Sequence, residues 1–220
     1  ANRVDGLLAS FSKNTHDFSH FQQIIDNEIP LVFFDREREE LHADSVIVDD
    51  YSGAYNAVTH LISKGCKKIA FFSAPQHLVL GKNRLEGYKA ALENHGITYN
   101  TDLVYSCDTF DQAEKISRSI LRKQDRPDAI FAVNDLTAIG AMKVAKQQGL
   151  HIPDDIKFVG FENSRSAWIC EPELTTVDQF GFELGKKATE LLLSRIRLHS
   201  FDYETEKQII KTHLVKRETT

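Results

Sequence analysis

Residues 129–161 read AIFAVNDLTAIGAMKVAKQQGLHIPDDIKFVGF, and the fold follows from this stretch. It opens on a continuous apolar run, Ala129–Val133, without the alternation of a sheet that keeps one face wet. Asp135 to Gln148 is rich in helix formers and stops at Gly149, a residue suited to a helix C-cap. A second apolar run follows at Ile156–Phe161. Strand, crossover helix and strand form the connection that joins parallel neighbours. The segment therefore predicts a βαβ unit in a parallel sheet whose helices cover its faces.

The same alternation extends outward in both directions. Val4–Ala9, Leu31–Phe34, Ser45–Val48, Lys68–Ser73 and Leu103–Ser106 read as short buried strands. Between and after them, helical spacing marks Asp17–Glu28, Asp50–Lys64, Leu85–His95 and Asp111–Lys123. Beyond the opening stretch come an extended piece at Leu174–Val177, a helix at Phe182–Leu198 and a last strand at Gln208–Val215. This is more strand than one compact doubly wound sheet holds, so two lobes are expected. In the late helix Leu184, Ala188, Leu191 and Leu192 face inward, and whether its aliphatics belong to core or to a dimer surface stays open.

Composition narrows the function. Lys and Arg number 27 against 32 Asp and Glu, a net charge of −5, and no segment is strongly basic. These residues are therefore not built to hold a phosphate backbone, and any action on DNA needs a separate domain. Cys66, Cys107 and Cys170 are odd in number and lack a C-x-x-C pair. They read as buried fillers in a reducing cytoplasm, not as disulfides or zinc ligands. His16 and His20 are four apart with no third ligand in reach of sequence reasoning, so they read as a solvated face. No metal and no cofactor are expected. No apolar run is long enough to span a bilayer, and no membrane partner is expected. The chain has no G-x-S-x-G, P-loop or G-x-G-x-x-G. Asp35 and Glu162 could form a glycosidase pair, but two acids serve hydroxyl binding equally well, so an enzyme is not expected.

In open parallel sheets ligands bind beyond the carboxyl ends of the strands. Those positions carry Ser10, Asp35, Asn134, Glu162 and Gln179, and Arg84 opens the helix after Lys68–Ser73. A hydroxyl, carboxylates, amides and a guanidinium suit a neutral ligand with many hydroxyls. Phe110 and Trp168, with Phe33, could cover its apolar faces. Asp135 stands where a helix cap belongs and reads as that cap.

At these positions the sequence resembles the LacI (lactose-repressor) family of transcription regulators. The resemblance runs through VDGLLAS (4–10), PLVFFDR (30–36), HLISKGCKKIAFFSAP (60–75), RLEGYKAAL (84–92), the opening stretch and PELTTVDQFGFELGKKATELLL (172–193). It implies a periplasmic-binding-protein-like α/β fold: two doubly wound parallel-sheet lobes joined by three crossovers and closing on a ligand. The first lobe would comprise residues 1–48 and 178–202, the second 49–177 and 203–220. Ser10, Asp35, Arg84, Asn134, Glu162 and Gln179 match positions that line the family's effector cleft. The family usually has Asp where this chain has Glu162, and a second Asp is common where it has Asn163. The longer carboxylate calls for a smaller or shifted ligand group. The resemblance further implies a sugar effector, with nucleobases second, a homodimer, and control of operator DNA. A helix-turn-helix domain, a hinge helix and a strand–helix–strand unit of the first lobe would precede these residues, and the native chain would be longer at its front. The alternative is a periplasmic sugar-binding protein of a transport system, with the same fold. Replacing Asp35 or Arg84 should then abolish a ligand response and leave the fold intact.

Overall fold

The computed structural model describes residues 4–198, 201 and 203–220. The elements run β1 (Leu7–Ala9), α1 (Ser19–Asp26), β2 (Leu31–Phe34), β3 (Asp44–Val48), α2 (Asp50–Ser63), β4 (Ile69–Ser73) and α3 (Val79–Asn94). Next come β5 (Val104–Ser106), α4 (Phe110–Ile120), β6 (Ala129–Ala132), α5 (Asp135–Gln147) and β7 (Lys157–Glu162). The chain ends with α6 (Arg165–Ile169), β8 (Thr175–Asp178), α7 (Gly181–Leu198), β9 (Lys207–Ile210) and β10 (His213–Val215). It divides into two compact units, Ala1–Asp49 with Phe180–Lys211, and Asp50–Gln179 with Thr212–Thr220, so it passes between them three times.

The first unit is a four-stranded sheet of order β1-β2-β3-β9 with every pairing parallel. Alternate residues of its strands serve opposite faces. Val32, Val46 and Val48 pack with Leu184, Ala188, Leu191 and Leu192 of α7, so these four belong to the core while Leu193 is exposed. On the other face Phe33 meets the rings of Phe11 and Phe21 edge-on, at 5.8 and 5.1 Å between centroids. α1 starts at Ser19, so His16 lies outside it and the two histidines do not share a helical face. The buried Asp44 carboxylate accepts from Nε and Nη2 of Arg195 at 2.8 and 3.0 Å and from the Glu206 amide at 2.7 Å, fastening α7 and the approach to β9 onto β3.

The second unit is a six-stranded sheet of order β10-β8-β7-β6-β4-β5, parallel except for β10. Ala70, Phe72, Ile130, Ala132 and Phe158 face one apolar cluster with α4 and α5. Ile69, Phe71, Ala129, Phe131, Val159 and Phe161 face the other, with α2 and α3. The stacked rings of Phe71, Phe131 and Tyr88 form its centre, and the Tyr88 hydroxyl donates to the Ile69 carbonyl at 2.8 Å. Cys66 and Cys107 are buried and free, and burial pushes their thiols up to about 11 and about 12. Among the described residues no helix is long and apolar enough to cross a membrane.

Several boundaries differ from the sequence reading. Gln208–Val215 is not one strand: β9 extends the first sheet beside β3, and β10 pairs antiparallel with β8 in the second. The chain crosses between units inside that run, so residues 203–211 fall with the first unit, not the second. α3 begins at Val79, a turn and a half before the expected Leu85, and the loop after β7 contains the short α6.

Two measurements probe this packing. Gly87 lets α3 lie directly on α2, since a Cβ there would meet the Tyr51 carbonyl oxygen and come within 3.0 Å of the Tyr55 nitrogen. Both are backbone atoms, so Gly87→Ala should lower stability by about 1–3 kcal/mol in a denaturant titration despite the better helix propensity of Ala. His60 on α2 is buried, and its Nε2 lies 2.9 Å from Thr220 Oγ1. Burial, then Lys216 and Lys64, push its imidazole down to about 4. The folded value lies below that of the unfolded chain, so the unfolded state takes up protons first. His60's contribution is complete above about pH 6.5 and is lost as pH falls from there through 4. His60→Gln should flatten the loss of stability over that interval.

Candidate ligand-binding site

The carboxyl ends of the strands carry the polar residues, and each unit presents its own set. In the first, the register Leu8 to Val32 and Ala9 to Phe33 places Ser10 and Asp35 at the same end of neighbouring strands. Asp35 sits at φ 65°, a left-handed conformation uncommon outside glycine. Its amide still donates to the Val46 carbonyl at 3.1 Å, which keeps it at the strand end. Arg36 runs alongside, Nε 3.7 Å from Asp35 Oδ2, with Nη1 donating to the Phe11 carbonyl at 2.7 Å. The Asp35 side chain is 36 % exposed, and Ser10 is exposed.

In the second unit, Phe131 is level with Val159 and Glu162 with Asp178, which aligns the ends of β6, β7 and β8. Asn134, Glu162 and Gln179 follow or end those strands. Asn134 is the N-cap of α5: its Oδ1 accepts from the Thr137 amide at 2.8 Å, and its Nδ2 donates to the Asp108 carbonyl at 2.9 Å. The expected cap, Asp135, is instead the first helical residue and fully buried. Its carboxylate accepts from the Ser164 amide at 2.7 Å and from the Thr176 hydroxyl. Burial raises its pKa, which the bonds from Thr176 and Ser164 and the nearby Arg217 oppose. Two residues with good capping side chains stand side by side at 134 and 135, and the first takes the role because it is the one in extended backbone, φ −148° and ψ 166°.

Arg84 differs most from the sequence reading. It is only 4 % exposed. Nε donates to Asp50 Oδ1 at 2.7 Å with Nη2 in ion-pair contact with the same oxygen at 2.7 Å, Nη1 donates to the Val133 carbonyl, and the guanidinium lies 3.6 Å over the Phe161 ring. Nε and Nη1 are thus engaged by the protein and Nη2 is held against Asp50, which leaves few of its five N–H groups for a ligand. Sequence does not single out Asp50, because an acid opening a helix reads as an ordinary first-turn residue.

Glu162 and Asn163 are adjacent residues at positive φ, 138° and 56°. Glu162 is exposed and Gln179 half-buried. Asn163 Oδ1 accepts from Trp168 Nε1 at 3.1 Å and from Arg217 Nη2 at 2.6 Å, and its Nδ2 donates to Asp178 Oδ2 at 2.9 Å. Trp168, on α6, is 61 % exposed and carries the Arg217 guanidinium 5.3 Å from its ring. Phe110 opens α4, with the Lys143 ammonium 5.2 Å from its ring. Sequence reasoning missed Asp178 and Arg217. The acid beside Gln179 was a usable signal, whereas nothing local marks an arginine near the end of the chain as a partner of residue 163.

Strand ends that present hydroxyl, amide and carboxylate groups, on two parallel-sheet units joined by three chain crossings, define a protein of the periplasmic-binding-protein-like class. Residues 58–220 match the family described as "Periplasmic binding protein-like domain". The chain is 34 % identical over 225 residues to the HTH-type transcriptional repressor PurR of Vibrio atlanticus, covering 99 % of this chain and 64 % of the relative. It is 33 % identical to the HTH-type transcriptional repressor CytR of Escherichia coli, over 89 % of this chain and 57 % of the relative. It is 35 % identical to the ribose operon repressor of Halalkalibacterium halodurans, over 99 % and 62 %. Among solved structures, a complex of the transcriptional regulator CelR with cellobiose superposes with a TM-score of 0.87 at 31 % identity, over 99 % of this chain and 66 % of that one. A LacI family regulator from Enterococcus faecium with bound ribose gives 0.86 at 28 %, over 99 % and 80 %. The chain belongs to the LacI family of transcription regulators, over the effector-binding domain. It spans less than two thirds of the length of the curated relatives named above.

The burial of Arg84 changes what its replacement does. Arg84→Met strands the Asp50 carboxylate in the interior, and should lower stability by roughly 3–5 kcal/mol in chemical denaturation. The earlier expectation of an intact fold does not hold for this residue. Asp35→Gly, which removes a half-buried carboxylate and suits the left-handed backbone, should stay within about 1 kcal/mol of the parent.

Proposed function

We propose that this chain is the effector-sensing part of a DNA-binding transcription regulator and that its ligand is a small neutral sugar. The observation that carries the reading is the set of strand ends. Ser10 and Asp35 in one unit, and Asn134, Glu162 and Gln179 in the other, offer donors and acceptors without a lysine among them. Such a set matches hydroxyls better than phosphates. Arg84 supports the set by fixing the residues before Asn134 and Glu162, and offers a ligand few N–H groups. Phe110 and Trp168 stand as the aromatic candidates beside it. The relatives bound to cellobiose and ribose support a sugar over a nucleobase.

In this reading the protein catalyses no reaction. Effector favours one arrangement of the two units over another, and the shift in population alters operator binding by a helix-turn-helix domain outside these 220 residues. The working form is a cytoplasmic homodimer. The outer edge of β1, which pairs only with β2 among the described residues, and the apolar groove along Leu8, Phe34, Phe182 and Ala188 would receive the strand–helix–strand unit that the family resemblance places ahead of them.

The test is a thermal-shift screen of the 220-residue chain against mono- and disaccharides, ribose and cellobiose included, with purine bases as a separate arm. A ligand at a hundred times its Kd should add about 2.7 kcal/mol of stability. The shift should vanish in Asp35→Gly. A response to the bases alone would replace the sugar reading, and an undiminished sugar response in Asp35→Gly would remove Asp35 from the site.

A further inference from the structure

We propose that Asp135 is a positioning residue of the candidate site: its buried carboxylate locks the strained Glu162–Asn163 turn from beneath and so fixes where Glu162 and the Trp168 indole stand. The part that concerns ligand affinity rests on the function proposed above. The part that concerns the turn does not.

Two consecutive non-glycine residues at positive φ persist only where their surroundings over-determine them. Here the surroundings can be named. Asn163 N–H donates to Thr176 Oγ1 at 3.3 Å, and the Thr176 hydroxyl donates onward to Asp135 Oδ1. The next amide, Ser164 N–H, donates to the other carboxylate oxygen, Oδ2, at 2.7 Å. Asp135 thus receives both ends of the turn: the Asn163 amide through Thr176 and the Ser164 amide directly. On the outer side, Arg217 and Trp168 converge on Asn163 Oδ1 and Asp178 accepts from its Nδ2. Asn163 has every side-chain polar atom engaged, and Trp168 is tied to it by its only polar atom.

The two contacts suit a carboxylate at 135. Two donors arrive on two different oxygens, and an amide has one acceptor atom to offer. In the Asp135→Asn variant the new NH₂ would either meet the Ser164 amide donor to donor, or turn to Thr176 and reverse that bond, so that the hydroxyl accepts from it as well as from the Asn163 amide and loses its own acceptor. The carboxylate is accommodated because residue 160 on β7 is glycine: a Cβ there would overlap Asp135 Oδ1 and reach 2.9 Å from Leu174 Cδ2. Its place at the start of α5 also favours negative charge, since the first helical N–H groups lie beside it. A carboxylate with no exposure, two converging donors and a glycine opposite is specified for a role, and the turn it holds carries a candidate ligand residue.

Trp168 is the only tryptophan, so a ¹⁵N-labelled sample gives one indole Nε1–H resonance, which reports the turn directly. In Asp135→Asn with a wild-type amide fingerprint elsewhere, that resonance should move and its solvent exchange should quicken about ten-fold as the bond to Asn163 opens. Thr176→Val, which removes the relay hydroxyl and keeps the shape, should give a smaller change in the same direction. The two changes should not add in the double variant. Sugar binding, with ribose and cellobiose as the probes, should weaken about ten-fold in Asp135→Asn. An unmoved indole resonance in folded Asp135→Asn overturns the proposal. If that variant fails to fold, an unmoved resonance in Thr176→Val does the same. A moved resonance with undiminished sugar affinity refutes the effect on the ligand and leaves the function standing. A parent chain that binds no sugar refutes the function, and the indole resonance still decides the turn.

Discussion

A charged side chain in the interior must be paired, and the second unit is organised around the pair that Arg84 makes with Asp50. The guanidinium joins four elements: its own α3, the start of α2 through Asp50, the end of β6 through the Val133 carbonyl, and β7 through the Phe161 ring. Val133 and Phe161 each immediately precede a candidate ligand residue, Asn134 and Glu162. One side chain therefore sets the height of two strand ends relative to each other. A hydrophobic residue of similar volume could fill the space but could not grip a carbonyl and a carboxylate at once, so the pairing contributes geometry more than net stability.

That geometry is then bent at its tips. Asp35, Glu162 and Asn163 all lie at strand ends and all take positive φ, where glycine would be the unstrained choice. Regular strand would carry these side chains to one face or the other of the sheet, alternately. A left-handed residue breaks the alternation and turns the chain at the sheet edge, where a ligand can be reached. The strain is held locally by strong acceptors and donors: the Val46 carbonyl for Asp35, and Thr176, Asp135 and Arg217 for the turn after β7.

What the sequence disclosed and what it hid divide along physical lines. Apolar runs and helical spacing are local properties, and they located the strands at 31–34, 69–73 and 129–132 and the helices around them. Pairing is not local. The run KQIIKTHLV (207–215) has the composition of one strand, and nothing in it states that Lys207–Ile210 pairs with β3 while His213–Val215 pairs with β8. Side-chain commitments are hidden for the same reason. Arg84, Asn134 and Asp135 are polar residues beside strand ends, and sequence distinguishes poorly between a group that waits for a ligand and one that the fold already uses. Asn134 caps a helix, Arg84 closes a buried pair, and Asp135 lies beneath the edge.

For the proposed ligand site, it follows that preference rests on more than the strand-end residues. The turn bearing Glu162 is clamped by Arg217, which comes from the last few residues, and by Thr176 on the neighbouring strand. Thr219 closes the same region by donating to the Phe158 carbonyl at 2.7 Å and accepting from the Thr175 amide at 2.9 Å. Two chains with the same residues at 35, 134, 162 and 179 but different partners at 135, 176 or 217 would hold the 162 carboxylate at different places. A shift of about an ångström is enough to exchange one hydroxyl pattern for another, because hydrogen bonds weaken steeply with distance and angle. Specificity in such a site is therefore a property of the layer beneath the contacts as much as of the contacts themselves.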